Sequence, residues 1–179
     1  MMQMEYWSQV VQRLDLPAKG AWLVYGLGTL LVLLALLLRR KLTWREYYVT
    51  FGIMATAGWL GNIVLFFQLD LLDSGDPSIG GIADIIVFTL APSSIALLYL
   101  NFYKPNIKWI ISLIFTGMAF VMEYCLTALG FFTQKGWHVW YSIPLYFVLF
   151  FFFLPWHLRY VRGKTEVHVN YVAKPPRGK

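Results

Sequence analysis

Apolar residues along this chain gather into five long blocks separated by short polar turns. A helix needs about 20 mostly apolar residues to cross the hydrocarbon core of a bilayer. Segments 21–38, 47–67, 85–103, 109–132 and 139–156 all approach that length. The first two carry no charge, and the fourth carries one, at Glu123. Ahead of the first block, Met4, Trp7, Val11 and Leu14 recur at helical spacing while Gln3, Glu5, Ser8 and Gln12 fall mostly elsewhere on the wheel. That pattern predicts a short amphipathic helix over residues 1–16, lying on the interface and stopped by Pro17. The reading is an all-α membrane protein: an interfacial helix, a five-helix transmembrane domain over 21–157, and a basic tail over 158–179. A cleaved signal peptide is not expected at the first block, which ends in the stop-transfer-like cluster Arg39-Arg40-Lys41.

Composition strengthens this picture. The 179 residues are 59% hydrophobic and 18% aromatic but only 13% charged, about half the charged share of soluble proteins. Mean hydropathy is +0.59. Such a chain is excluded as a soluble enzyme or a disordered segment, because so few charges cannot cover so much apolar surface. The lone Cys125 rules out an internal disulfide framework.

The net charge of +6 is informative through its placement. With the turn after the first span on the cytoplasmic side, Arg39, Arg40, Lys41, Arg45, Lys104, Lys108, Arg159, Arg162, Lys164, Lys174, Arg177 and Lys179 lie inside. Only Arg13, Lys19 and Lys135 lie outside, and Asp70, Asp73, Asp76 and Asp84 join them. This positive-inside bias predicts an outer N-terminus, an inner C-terminus and residence in a cytoplasmic membrane. The basic residues are scattered over several short segments, so no nucleic-acid partner is expected. The lipid bilayer is the expected partner.

Gln68–Gly81 holds Asp70, Asp73 and Asp76 but lacks the alternating carboxylates and closing Glu of a calcium loop, so it reads as a solvated turn. Thr165–Val172 alternates polar and apolar residues at a strand period, suited to pairing with a partner or lying along the inner leaflet.

Polar groups at bilayer depth are the informative exceptions, because each is costly unless paired. Glu123 lies near the middle of its span and should be protonated or paired. Asn62 lies in the second span, Asp84 opens the third, and His138 with Trp137, Trp140 and Tyr141 opens the fifth. All fall in the outer half. They define a candidate ligand site of Asn62, Asp84, Glu123, Trp137, His138, Trp140 and Tyr141, walled by Trp59, Trp137 and Trp140. The competing readings are interhelical packing for Asn62, a helix N-terminal carboxylate for Asp84 and an aromatic belt for the tryptophans. Small residues Gly52, Ala57, Gly58 and Gly61 suit close helix packing. Pro92, with Ser93 and Ser94, predicts a kink in the third span whose freed carbonyl the hydroxyls help satisfy, and Pro144 and Pro155 interrupt the fifth.

No metal motif, phosphate loop or nucleophile–base pair supports an enzyme, and no metal or cofactor is expected.

Several of these residues recur in a recognisable order. They are Arg45, Trp59-Leu60-Gly61, an acid at Asp84, Pro92, Tyr99-Leu100-Asn101-Phe102-Tyr103-Lys104-Pro105, Thr116, Glu123-Tyr124 and Trp137-x-x-Trp140-Tyr141-Ser142. Over residues 44–160 the chain resembles a family of small five-span, tryptophan-rich membrane proteins of Gram-positive spore-forming bacteria. The resemblance implies topology and points to Glu123 and the tryptophan motif, without implying an activity. Where members of that family carry Glu-Tyr in the third span, this chain has Asp84-Ile85.

The function expected is binding or sensing of a small cationic or apolar ligand that enters from the outer face. The alternatives are an accessory subunit that docks a membrane partner or a second copy, and an oligomeric small-solute transporter.

Overall fold

In a computed structural model of the chain, residues 10, 11, 14, 16–75 and 81–172 are described, with side chains described as far as residue 163. The architecture is helical. Among the described residues four helices are long and apolar enough to cross a membrane: α2 (Trp44–Gln68), α3 (Ile82–Phe102), α4 (Pro105–Ala128) and α5 (Val139–Gly163). A shorter apolar helix, α1 (Ala21–Leu37), precedes them. Helix α3 is the central element, packed against α1, α2, α4 and α5. Its residues Ala96, Tyr99 and Leu100 are almost fully buried, and Leu154 and Phe150 of α5 close over them.

The expected interfacial helix over 1–16 lies mostly outside the described residues. Within them, Leu14 N–H donates to the Val10 carbonyl at 3.0 Å, one helical turn. Asp76 and residues 173–179 also lie outside.

Local chemistry explains where the helices differ from the sequence expectation. Helix α2 starts at Trp44, three residues before the expected span, because Thr43 and Glu46 form a capping box. Thr43 N–H donates to Glu46 Oε2 at 2.6 Å, and Glu46 N–H donates to Thr43 Oγ1 at 3.3 Å. This is the reciprocal pairing that satisfies orphan donors at a helix start. Helix α4 stops at Ala128 rather than at 132, because Gly130 takes a left-handed φ of +78° and turns the chain. The apolar run beyond it instead enters a two-stranded antiparallel ribbon. Strand β1 (Leu72–Ser74) pairs with β2 (Phe132–Gln134), with Leu72 opposite Gln134 and Ser74 opposite Phe132. Lys135 Nζ pins the ribbon through Asp70 at 2.7 Å and Asp73 at 3.0 Å. Beyond Trp156 the chain stays helical to Val172. The strand period over 165–172 is therefore not realised.

The expected proline kinks take a specific form. In α3 a wide π-helical run, Ile86–Leu90, ends two residues before Pro92. In α5 a second run, Leu149–Phe153, ends two residues before Pro155. A proline cannot donate to the carbonyl four residues back, and its ring clashes there; a wide turn upstream relieves the clash. Pro92 thereby frees the Phe88 carbonyl. That carbonyl is not taken up by Ser93, whose hydroxyl donates instead to Phe51 O at 3.2 Å across to α2. The Phe88 carbonyl lies against Gly58, where an added Cβ would overlap its oxygen. Likewise Gly28 of α1 makes room for Ile86. A third wide run, Ile63–Gln68, ends α2. Pro144 sits in the first α-helical turn of α5, just after the 3-10 turn Val139–Tyr141, a position that proline tolerates.

Candidate functional site

The three wide turns border one cavity of about 380 Å³, lined from all five helices and the ribbon. Its walls are apolar for the most part, with Phe66, Phe88 and Phe150 coming from the wide turns themselves. Its polar groups come from three helices: Asn62 of α2, Glu123 of α4, and Ser142 and Tyr146 of α5, with Trp137 just ahead of α5.

The geometry centres on Glu123. Ser142 Oγ donates to Oε1 at 2.7 Å and Tyr146 OH donates to Oε2 at 2.6 Å. Trp137 Nε1 donates to Ser142 Oγ at 3.2 Å. An indole N–H is only a donor, so it directs the serine proton toward the carboxyl. Ser142 and Tyr146 are four residues apart and share a helix face, which brings both hydroxyls to the same carboxyl. Among the described residues no Lys, Arg or His pairs with Glu123. Asn62 is buried and reaches the cavity, and no hydrogen bond from its amide to the described residues is present. The site thus offers one carboxyl and one carboxamide in an apolar hollow.

Of the seven residues expected at the site, Asn62, Glu123 and Trp137 line the cavity, and Asp84, His138, Trp140 and Tyr141 do not. Asp84 instead accepts from Ser74 Oγ at 2.8 Å and from Gly81 N–H at 3.2 Å. It caps α3 and tethers the ribbon. His138 is exposed and meets Tyr141 edge-on at 5.8 Å. Trp140 and Tyr141 are 63% and 54% exposed, as belt residues are. Trp59 is not in the wall either; its Nε1 donates to Thr89 Oγ1 at 2.8 Å. The expected site omits Tyr146, and Ser142 enters it only as the last residue of the tryptophan motif, although their i, i+4 spacing in an apolar segment is a usable signal.

A second polar cluster occupies the opposite end, where the sequence suggests none. Thr50 Oγ1 and His157 Nε2 meet at 3.0 Å, both buried, and Arg162 Nε donates to Glu46 Oε1 at 2.7 Å. Asn101 accepts from the Arg40 and Lys41 N–H groups and donates to Tyr47 OH at 2.8 Å. By pattern His157 borders the tail, because the apolar run ends at Trp156; the helix continues and buries it. Along α5 it stands roughly 28 Å from His138 at 1.5 Å per residue. Among the described residues no cluster of His, Cys, Asp and Glu is arranged to hold a metal ion.

No protein-family profile, curated protein or solved structure matches this chain.

Proposed function

We propose that this chain is a five-span protein of a bacterial cytoplasmic membrane that binds a small cationic ligand at Glu123, as a binding or sensing module. The carrying observation is a carboxyl that receives one hydroxyl hydrogen bond at each oxygen, has no cationic side chain paired with it among the described residues, and lines an apolar cavity. A cation there would meet the carboxylate in a cavity that Asn62, Trp137 and Tyr146 also line. Cation–aromatic attraction contributes about 1–2 kcal/mol when desolvated. The volume falls within the range of small-molecule sites, roughly 300–1,000 Å³.

Helix α1, at 17 residues, extends roughly 26 Å; with a few flanking residues it would reach across a core of about 30 Å. The segregation of Lys and Arg supports an outer N-terminus and sets the Glu123 end outward. The order of the Trp, Pro and Glu123 motifs supports membership of the spore-former family. A second reading, an accessory subunit or homo-oligomer, draws on α2, whose apolar window is only 17% buried against 56% for α3.

The test uses the purified full chain in mild detergent with hexylammonium as the probe. A ligand at 100 times its Kd stabilises by about 2.7 kcal/mol. Hexylammonium should raise the unfolding temperature, hexanoate should not, and Glu123→Gln should abolish the effect. Equal stabilisation by hexanoate, or an undiminished response in Glu123→Gln, would refute the proposal.

A further inference from the structure

Two features decide how a ligand reaches Glu123. The first is a roof. Leu72 of β1 and Phe132 of β2 both line the cavity, so the ribbon forms one end of its wall. That ribbon is held by Lys135 on Asp70 and Asp73 and by Ser74 on Asp84. The ribbon therefore stands in the direct path that the sequence suggests.

The second is a gap in the wall. Helices α2 and α5 are joined at the far end by Thr50–His157 and Glu46–Arg162. Toward the cavity end, no side-chain hydrogen bond links them among the described residues, and they share no extensive packing there. Two cavity-lining residues are themselves exposed, Ala57 on α2 and Leu145 on α5. Ala57 lies roughly 17 Å along the helix from the end of α2, and Leu145 roughly 9 Å from the start of α5, at 1.5 Å per residue. In a core about 30 Å thick both stand at hydrocarbon depth. Ala57 also borders a shallow groove of about 340 Å³ on the outer face of α2, lined by Gly52, Ile53, Thr56 and Leu60. Cavity and groove thus meet at one residue.

We propose that the ligand is a membrane-dissolved amphiphile with an ammonium head and an aliphatic tail, which enters sideways between α2 and α5. This rests on the reading of Glu123 as a cation site and extends it to a ligand class and a route. The head reaches Glu123 and Asn62, the first methylenes fill the apolar cavity, and the tail leaves past Ala57 into the groove. An apolar mouth at hydrocarbon depth admits a tail without exposing it to water, and the carboxyl selects against anionic heads.

The experiment uses the full chain in phosphatidylcholine nanodiscs with hexadecylammonium carrying a mid-chain diazirine. After irradiation, labelled residues are mapped by mass spectrometry. Labelling should concentrate between Gly52 and Gly61 of α2 and at Leu145, and excess unlabelled hexadecylammonium should reduce it at least fivefold. Hexylammonium should also compete, whereas hexadecanol, with the same tail and no charge, should compete at least tenfold less well. Even labelling of lipid-facing positions such as Leu113 and Ile114 of α4, with no competition, would overturn the lateral route. If hexylammonium still stabilises the protein in that case, only the route and the tail fall. If its Glu123-dependent stabilisation is also absent, the cation site falls with them. Labelling and competition are measured on the unsubstituted protein, so they do not depend on how any variant folds.

Discussion

Adding one methyl group at Gly58 should test the packing that frames the cavity. A Cβ there would overlap the Phe88 carbonyl oxygen and stand 3.0 Å from its carbon. Both are backbone atoms of a helix held on several sides, so no side chain can swing away. Helices α2 and α3 would have to part by roughly 1 Å, and a gap of 0.5–1 Å forfeits a quarter to a half of each dispersion contact across an interface. Within a bilayer such contacts dominate helix association, since lipid tails are as apolar as leucine. Gly58→Ala is therefore expected to destabilise the protein by about 1–3 kcal/mol, the usual range for overpacking. Gly52→Ala is the control: nothing lies within 4 Å of its added Cβ, and alanine's higher helix propensity favours it by up to about 1 kcal/mol. Unfolding in mixed detergent–SDS micelles, followed by tryptophan fluorescence, measures both. If the two substitutions differ by less than about 0.5 kcal/mol, the close approach at Phe88 is not structurally significant.

Two further outcomes follow from the polar contacts. Thr50→Val leaves the buried His157 ring nitrogen without its partner and should cost about 1–3 kcal/mol, with Thr50→Ser recovering most of it; a loss below about 0.5 kcal/mol in the same assay would show that the pair is incidental. The carboxylates of Asp70 and Asp73 hold the Lys135 ammonium above the ordinary lysine value of 10.5. The pairing is thus fully present below that value and is lost as pH rises through the folded one. NMR titration of the Lys135 side-chain carbon should give a midpoint above 10.5, returning to it when both aspartates become asparagine; an unchanged midpoint in that double variant would discount the pairing.

How much of this protein is legible in its residues depends on the range of the forces involved. Five apolar blocks and their helical state follow from composition and period, because a long apolar stretch in a bilayer must satisfy its backbone internally whatever surrounds it. The cost of burying Glu123 is legible for the same reason, as the one charge within its span. Its partners are not. Ser142 and Tyr146 meet it only because α4 and α5 pack with those faces together, and Asp84 leaves the site because the ribbon brings Ser74 to it. The ribbon joins segments about 60 residues apart, and no local pattern announces it. His157 is the last residue of the expected transmembrane domain, just past the apolar run, and only the continuation of the helix buries it. Local chemistry determined which segments are helices and which residues are costly to bury. Long-range packing decided which of those residues face each other, and left Ala57 and Leu145 of the cavity wall exposed.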